Sequence, residues 1–222
     1  MTFLAKSLDQ KRLTRTRFLK NVKPPNQRLL KSGRQNAKLG AKVTVKKWKG
    51  MPIFYLTLEE RATCPTHCEQ WDNCYGNNMP FAHRFDHTDP QFWPLLHANL
   101  DQLNTKHHNG FVVRLHVLGD FVDIDYTERW LSCLEHYPNL HVFGYTHHRL
   151  NSEIGRRINR ANRWMFERWR IRFSDDPSTP FSAHVNKTTN GITCPEQLNK
   201  TTSCGTCGYC WSSEQPVVFI EH

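Results

Sequence analysis

Seven of the eight cysteines in this 222-residue chain fall in two short groups. The first is TCPTHCEQWDNCYG, which spaces Cys64, Cys68 and Cys74 as C-x3-C-x5-C. Three thiolates can hold three corners of a cubane iron–sulfur cluster and leave one iron open to another ligand. Zinc is the alternative metal; it asks for a fourth ligand, which His67 or a distant residue would supply. The second group spaces Cys204, Cys207 and Cys210 as C-x2-C-x2-C, with Cys194 ten residues upstream. Four thiolates make a closed site, and the tight run suits a cluster better than the two separated pairs of a zinc ribbon. The expected cofactors are therefore one or two [4Fe-4S] clusters, with zinc as the alternative. Spacing leaves a second partition open, in which Cys194 completes the first trio. Cys133 sits at helical spacing among apolar residues and reads as an ordinary buried thiol.

Other residues with chemical potential lie where strands are predicted to end. Gly119 and Asp120 follow one strand and Thr146 closes the next, while His116 alternates with Arg114 on one strand face and is expected to point inward with it. His147 and His148 follow Thr146, and Asp175 and Asp176 follow a later strand, where they can hold a ribose hydroxyl or form a turn. The sequence has no phosphate-binding Gly-rich loop, no G-x-S-x-G elbow and no H-E-x-x-H, which excludes hydrolases of those types.

The elements that must position these residues alternate. IFYLTL, FVVRLHVL and LHVFGYT predict three strands; QFWPLLHANLDQL, DIDYTERWLSCLEHY and SEIGRRINRANRWMFERW predict helices, the last opened by Ser152 as N-cap. RIRFS, FSAHV and PVVFI predict strands four to six without visible helices between them. The expected fold class is α/β, either a partial (β/α)6-type barrel or an open, mostly parallel sheet. In both, Cys64, Gly119, Asp120 and Thr146 gather at the carboxyl edge, where ligands bind.

A strand followed by a three-cysteine loop, then a strand followed by Gly-Asp, resembles the radical S-adenosylmethionine superfamily. That family uses a six-unit barrel, a three-cysteine loop and a Gly-Gly-Glu-type motif after its second strand. Here Cys64, Cys68 and Cys74 match the loop, and Leu118, Gly119 and Asp120 match the motif. The family's spacing is C-x3-C-x2-C, and Asp stands here in place of Glu after a single Gly. The resemblance implies that the open iron chelates the amino and carboxylate groups of S-adenosylmethionine, that Asp120 accepts a hydrogen bond from the amine, and that His116, Gly119 and Thr146 line the cofactor site. A closer resemblance covers residues 35–222, where TCP, CYG, RLHVLGDF, YTH and the C-terminal CGYCW segment are similar to the small phage and prophage proteins of the gene-product-eighty-eight type. It implies a phage or prophage origin and a bacterial host cell, and carries no function with it.

Charge is uneven. The first fifty residues hold fifteen Lys and Arg against the single acid Asp9, whereas the remainder is net acidic within a total of +10. Residues 1–50 are expected to form a basic extension that meets DNA or RNA through phosphates, residues 51–190 the α/β core, and residues 191–222 a Cys-rich metal segment with the last strand. No apolar run fits a secretory signal or a membrane span, so a cytoplasmic protein with reduced thiols is expected. These features define three expected functions. One is a radical S-adenosylmethionine-like enzyme acting on a nucleic acid or a related phage substrate and served by an electron donor; the second is a non-catalytic nucleic-acid-binding protein with structural zinc or a passive cluster; the third is an iron–sulfur regulator.

Overall fold

A computed structural model describes residues 14–185 and 191–220. Among them run ten strands: β1 (Val22–Lys23), β2 (Lys31–Ser32), β3 (Ile53–Tyr55), β4 (Arg84–Phe85), β5 (Phe111–Leu115), β6 (Leu140–Thr146), β7 (Trp169–Ser174), β8 (Ser182–Val185), β9 (Ile192–Thr193) and β10 (Val217–Phe219). The helices are α1 (Glu60–Thr63), α2 (Phe92–Lys106), α3 (Ile124–His136), α4 (Glu153–Trp164), α5 (Cys204–Cys207) and α6 (Tyr209–Ser212). Eight strands form one sheet in the order β2-β3-β5-β6-β7-β8-β10-β9, and only the β2–β3 pair is antiparallel. The sheet stays open, with β2 and β9 as its edges; it is not a barrel. The six expected strands correspond to β3, β5 to β8 and β10. The four unforeseen ones are two residues long, too short to show any period.

From β3 to β8 the neighbours follow chain order, and the three long helices that cross between them lie on one face. That face holds the main core. Phe111, Val113 and Leu115 of β5 point into it, as do Trp169, Ile171 and Phe173 of β7, against Phe92, Leu96 and Leu100 of α2, Trp130 and Leu134 of α3, and Ile158 of α4. Cys133 is buried there, and burial pushes its thiol up to about 12, as an ordinary core cysteine requires. Asp123 caps α3 by accepting from the Tyr126 amide, and Ser152 caps α4 by accepting from Gly155.

The opposite face carries the alternate residues, Ile53, Tyr55, Val112 and Phe143, and is covered by two segments distant in sequence. One contains Leu39, Val43 and Trp48; the other is the Cys-rich turn, whose Trp211 stacks on Trp48 at 5.7 Å between ring centres. The amides of Cys204 and Gly205 donate to the carbonyls of Lys38 and Leu39, and the Thr44 amide donates back to Gly205. The basic stretch expected as an extension therefore contributes Thr16, Leu29, Leu30, Leu39, Val43 and Trp48 to buried positions. Charge density concealed this, because the apolar residues that dock it are single and lack a helix or strand period. The C-terminal segment likewise adds β9 and β10 to the sheet. Among the described residues no helix is long and apolar enough to cross a membrane.

Candidate metal centre

The loop bearing the first cysteines starts at the C-cap of α1, where the Cys64 amide donates to Glu60, and continues through tight turns closed by Cys68 to Pro65 and by Asn77 to Cys74. Two acidic residues at the start of α1 hold it. Glu59 accepts from the Thr16 amide and the Arg15 side chain, and Glu60 accepts from Arg84 at 2.7 Å and from Thr16 at 2.8 Å. Arg84 is wholly buried and also donates to the carbonyls of Gly76, Met79 and Ala82, so that one guanidinium ties α1, β4 and the chain after Cys74 together. Buried Trp71 closes the loop, its carbonyl accepting from Arg61 at 3.1 Å.

Cys68 and Cys74 both bear electrostatically on Cys64, so the three thiols lie in one neighbourhood. Burial pushes the Cys68 thiol up to about 12 and Cys64 well above its ordinary value, with the Asp120 carboxylate adding to both. Cys64 nevertheless stays half-buried rather than enclosed. A side chain that is desolvated yet accessible lies in a recess, where binding a cation would release the thiol proton. His67 is engaged elsewhere: its Nε2 lies 3.0 Å from the His147 carbonyl oxygen.

Gly119, Asp120 and Thr146 lie at the carboxyl ends of β5 and β6, and Asp120 bears electrostatically on Cys64. Gly119 has φ +90, and a Cβ there would meet the Thr63 hydroxyl at 2.7 Å and Leu58 at 2.8 Å, so only glycine fits. Asp120 is 1% exposed, and its two oxygens accept from the amides of Phe121 and His147, both at 2.7 Å. It thereby ties the end of β5 to the end of β6. Thr146 is buried, and its hydroxyl accepts from the His148 amide. His116 does not join Arg114. β5 ends at Leu115, so the alternation stops there, and the His116 ring packs on Phe121 with Nε2 2.9 Å from the Tyr126 hydroxyl. Burial, with Arg114 adding to it, lowers His116 to about 3.

The other four cysteines form the second set. Cys194, Cys207 and Cys210 share a cluster with Ala183, Tyr209 and Val217, and Cys204 interacts with both Cys210 and Cys194. Cys194 thus falls with this set and not with the first trio. Two residues that the sequence reading passed over hold it. Arg172 of β7, fully buried, donates to the carbonyls of Cys210, Ser182, Ser213 and Gln215, and the Tyr145 hydroxyl donates to Cys210 Sγ at 2.9 Å. A signal existed in WRIRFS, where arginines alternate with apolar residues in a strand buried on both faces.

Between the two sets lies Arg114. Its guanidinium stands 4.4 Å from the Tyr145 ring centre, donates to its neighbour's carbonyl, and bears electrostatically on Tyr75 beside Cys74 and on Cys204. It forms no ion pair with a carboxylate among the described residues. Beyond Cys68 opens a cleft of about 590 Å³ lined by His67, Glu69, His147, Arg149, Asp175 and Asp176. Among the described residues, no three His, Cys, Asp or Glu side chains converge tightly enough to enclose a metal ion.

An open, mostly parallel α/β sheet with one cysteine set at its carboxyl edge and a second packed on its inner face defines a cysteine-rich α/β protein. A sequence profile described as Gene product 88 matches residues 28–165, and the chain belongs to that family. The match includes the first cysteine set and ends before the second. No curated protein and no solved structure matches the chain.

Proposed function

We propose that this protein is an iron–sulfur enzyme of the radical S-adenosylmethionine-like kind that acts on a nucleic acid. Cys64, Cys68 and Cys74 would hold an open [4Fe-4S] cluster, and Cys194, Cys204, Cys207 and Cys210 a closed one. The observation that carries this reading is the gathering of the first three thiols in a recess at the carboxyl edge, beside an open cleft. The C-x2-C-x2-C run and the three-cysteine loop with its open fourth position suit clusters better than the two separated pairs of a zinc ribbon. Bound there, the cluster would supply one electron and an iron with a free position.

The chain's own groups fit that use. Glu69, Asp175 and Asp176 lend the cleft negative charge, which favours a cationic ligand such as S-adenosylmethionine through its field; Asp176 itself is taken up by the Leu150 and Ser178 amides. Asp120 has both oxygens engaged, so its part in this reading is to hold the cleft wall at His147 rather than to bind the amine. Arg114 offsets the negative charge that thiolate-ligated clusters bring, and Tyr145 gives Cys210 a hydrogen bond of the kind that tunes a cluster. The basic first fifty residues favour a polyanionic substrate.

The test is anaerobic reconstitution followed by iron, sulfide and zinc analysis, then addition of S-adenosylmethionine and reductant. Iron with labile sulfide, a cluster spectrum altered by S-adenosylmethionine, and deoxyadenosine formation are expected. A loaded cluster indifferent to S-adenosylmethionine removes the radical reaction. Stoichiometric zinc without iron replaces the enzyme with a nucleic-acid-binding protein whose metal is structural.

A further inference from the structure

A second cavity, of about 430 Å³, lies between β2 and the chain that follows Cys74. Its lining differs in kind from that of the cleft beyond Cys68. Lys31, Gln35, Asn36, Asn78, Phe81 and His83 contribute to it, together with Tyr55 and Thr57, and no Asp or Glu does. Lys31 pairs with Tyr55 across the β2–β3 register, and Tyr55 pairs with Arg114 across β3–β5, so two strand pairings link the cavity lining to Arg114.

Lys31 is half-buried on this edge strand and forms no ion pair among the described residues. The Phe85 ring lies 5.4 Å from its ammonium. Burial lowers its pKa, and an arriving anion would relieve that cost. At the lip stands Phe81, 92% exposed, the most exposed of the large apolar side chains among the described residues. An aromatic ring held out beside a lone cation and several amides is the arrangement that receives a base on its face and a phosphate at its edge. The volume suits one such unit.

We propose that this cavity binds a nucleoside phosphate, with the base stacked on Phe81, the phosphate at Lys31, and the amides of Gln35, Asn36 and Asn78 meeting the base edge. The inference deepens the substrate half of the function proposed above and stands apart from its metal half. A phosphate is required by the charge: S-adenosylmethionine shares the base but is cationic, and the acid-free lining disfavours it.

The experiment uses the full chain, with and without reconstitution, and fluorescence anisotropy of labelled single-stranded DNA and RNA. Nucleoside monophosphates and S-adenosylmethionine serve as competitors. Phe81→Ala and Lys31→Gln should each weaken binding about tenfold, with Phe81→Tyr close to the parent. Lys31→Gln should also reduce the salt dependence. Competition by monophosphates at concentrations comparable to the strand supports a free nucleotide as ligand, and binding confined to the strand supports a nucleotide within a chain. The proposal is overturned if neither binds, if Phe81→Ala and Lys31→Gln both bind like the parent, or if S-adenosylmethionine competes as well as the monophosphates do. Because metal-free protein is assayed alongside, loss of the iron reading leaves this result standing, and the reverse also holds.

Discussion

Arg172 donates from Nε to the main-chain oxygen of Cys210 across 2.9 Å, from the middle of a strand to the turn that carries three cysteines. The same guanidinium reaches Ser213 and Gln215, so the end of the turn is fastened by a side chain, as its start is by main-chain bonds to Lys38 and Leu39. Arg172→Met keeps the volume and removes every one of these bonds. Stability should fall by about 3 kcal/mol, and Cys207 and Cys210 should react faster with a maleimide. Urea titration and timed alkylation check both; unchanged midpoint and rate would show that the turn is held by Trp211 and Tyr209 instead.

Deleting residues 1–50 should unfold the protein. The deletion removes Leu29, Val43 and Trp48 from the core, strand β2 from the sheet, and the carbonyls that receive the Cys204 and Gly205 amides. Circular dichroism and gel filtration of the truncated chain read this out. A soluble, cooperatively melting fragment would mean that the stretch is an accessory after all.

Breaking the Glu60–Arg84 pair should be costly. Both partners are at most 2% exposed, and leaving either one alone strands a charge in the interior. Arg84→Met or Glu60→Leu should each lose about 3–5 kcal/mol, whereas the double substitution should recover much of that. A double-mutant cycle by denaturant unfolding measures the coupling, and additive losses would contradict it.

Stability should fall with acid because of His116. Burial lowers its folded pKa to about 3, below an ordinary value near 6.5, so the unfolded chain binds the extra proton in the interval between. The contribution is whole above about pH 6.5 and is lost toward pH 3 at about 1.4 kcal/mol per pH unit. His116→Phe should flatten the stability profile over that interval relative to the parent. Parallel slopes for the two proteins would place the acid sensitivity in other groups.

Much of this was legible in the chain. Periodicity marked the strands that became β3, β5 to β8 and β10, the three long helices, and the caps at Ser152 and, through its position, the burial of Cys133. Cysteine spacing marked two groups while leaving the place of Cys194 open, and strand ends put Gly119, Asp120 and Thr146 along one edge, because in parallel α/β sheets the carboxyl ends lie together. These features are local or follow from a single topological rule, and one sequence carries them in full.

What needed the tertiary structure was everything decided by partners far apart in the chain. Asp120 reads as a free carboxylate until the end of β6 brings the His147 amide to it. Charge made residues 1–50 look detachable, yet the inner face of the sheet has to be covered, and Val43, Trp48 and Trp211 cover it. The sequence alone determined which residues can do chemistry and along which edge; the tertiary structure decided which were already engaged and which, like Arg114, pair with no carboxylate among the described residues. The reason is physical. Spacing reports on neighbours a turn or a strand apart, while burial and hydrogen-bond satisfaction are settled only when distant segments close over the same face.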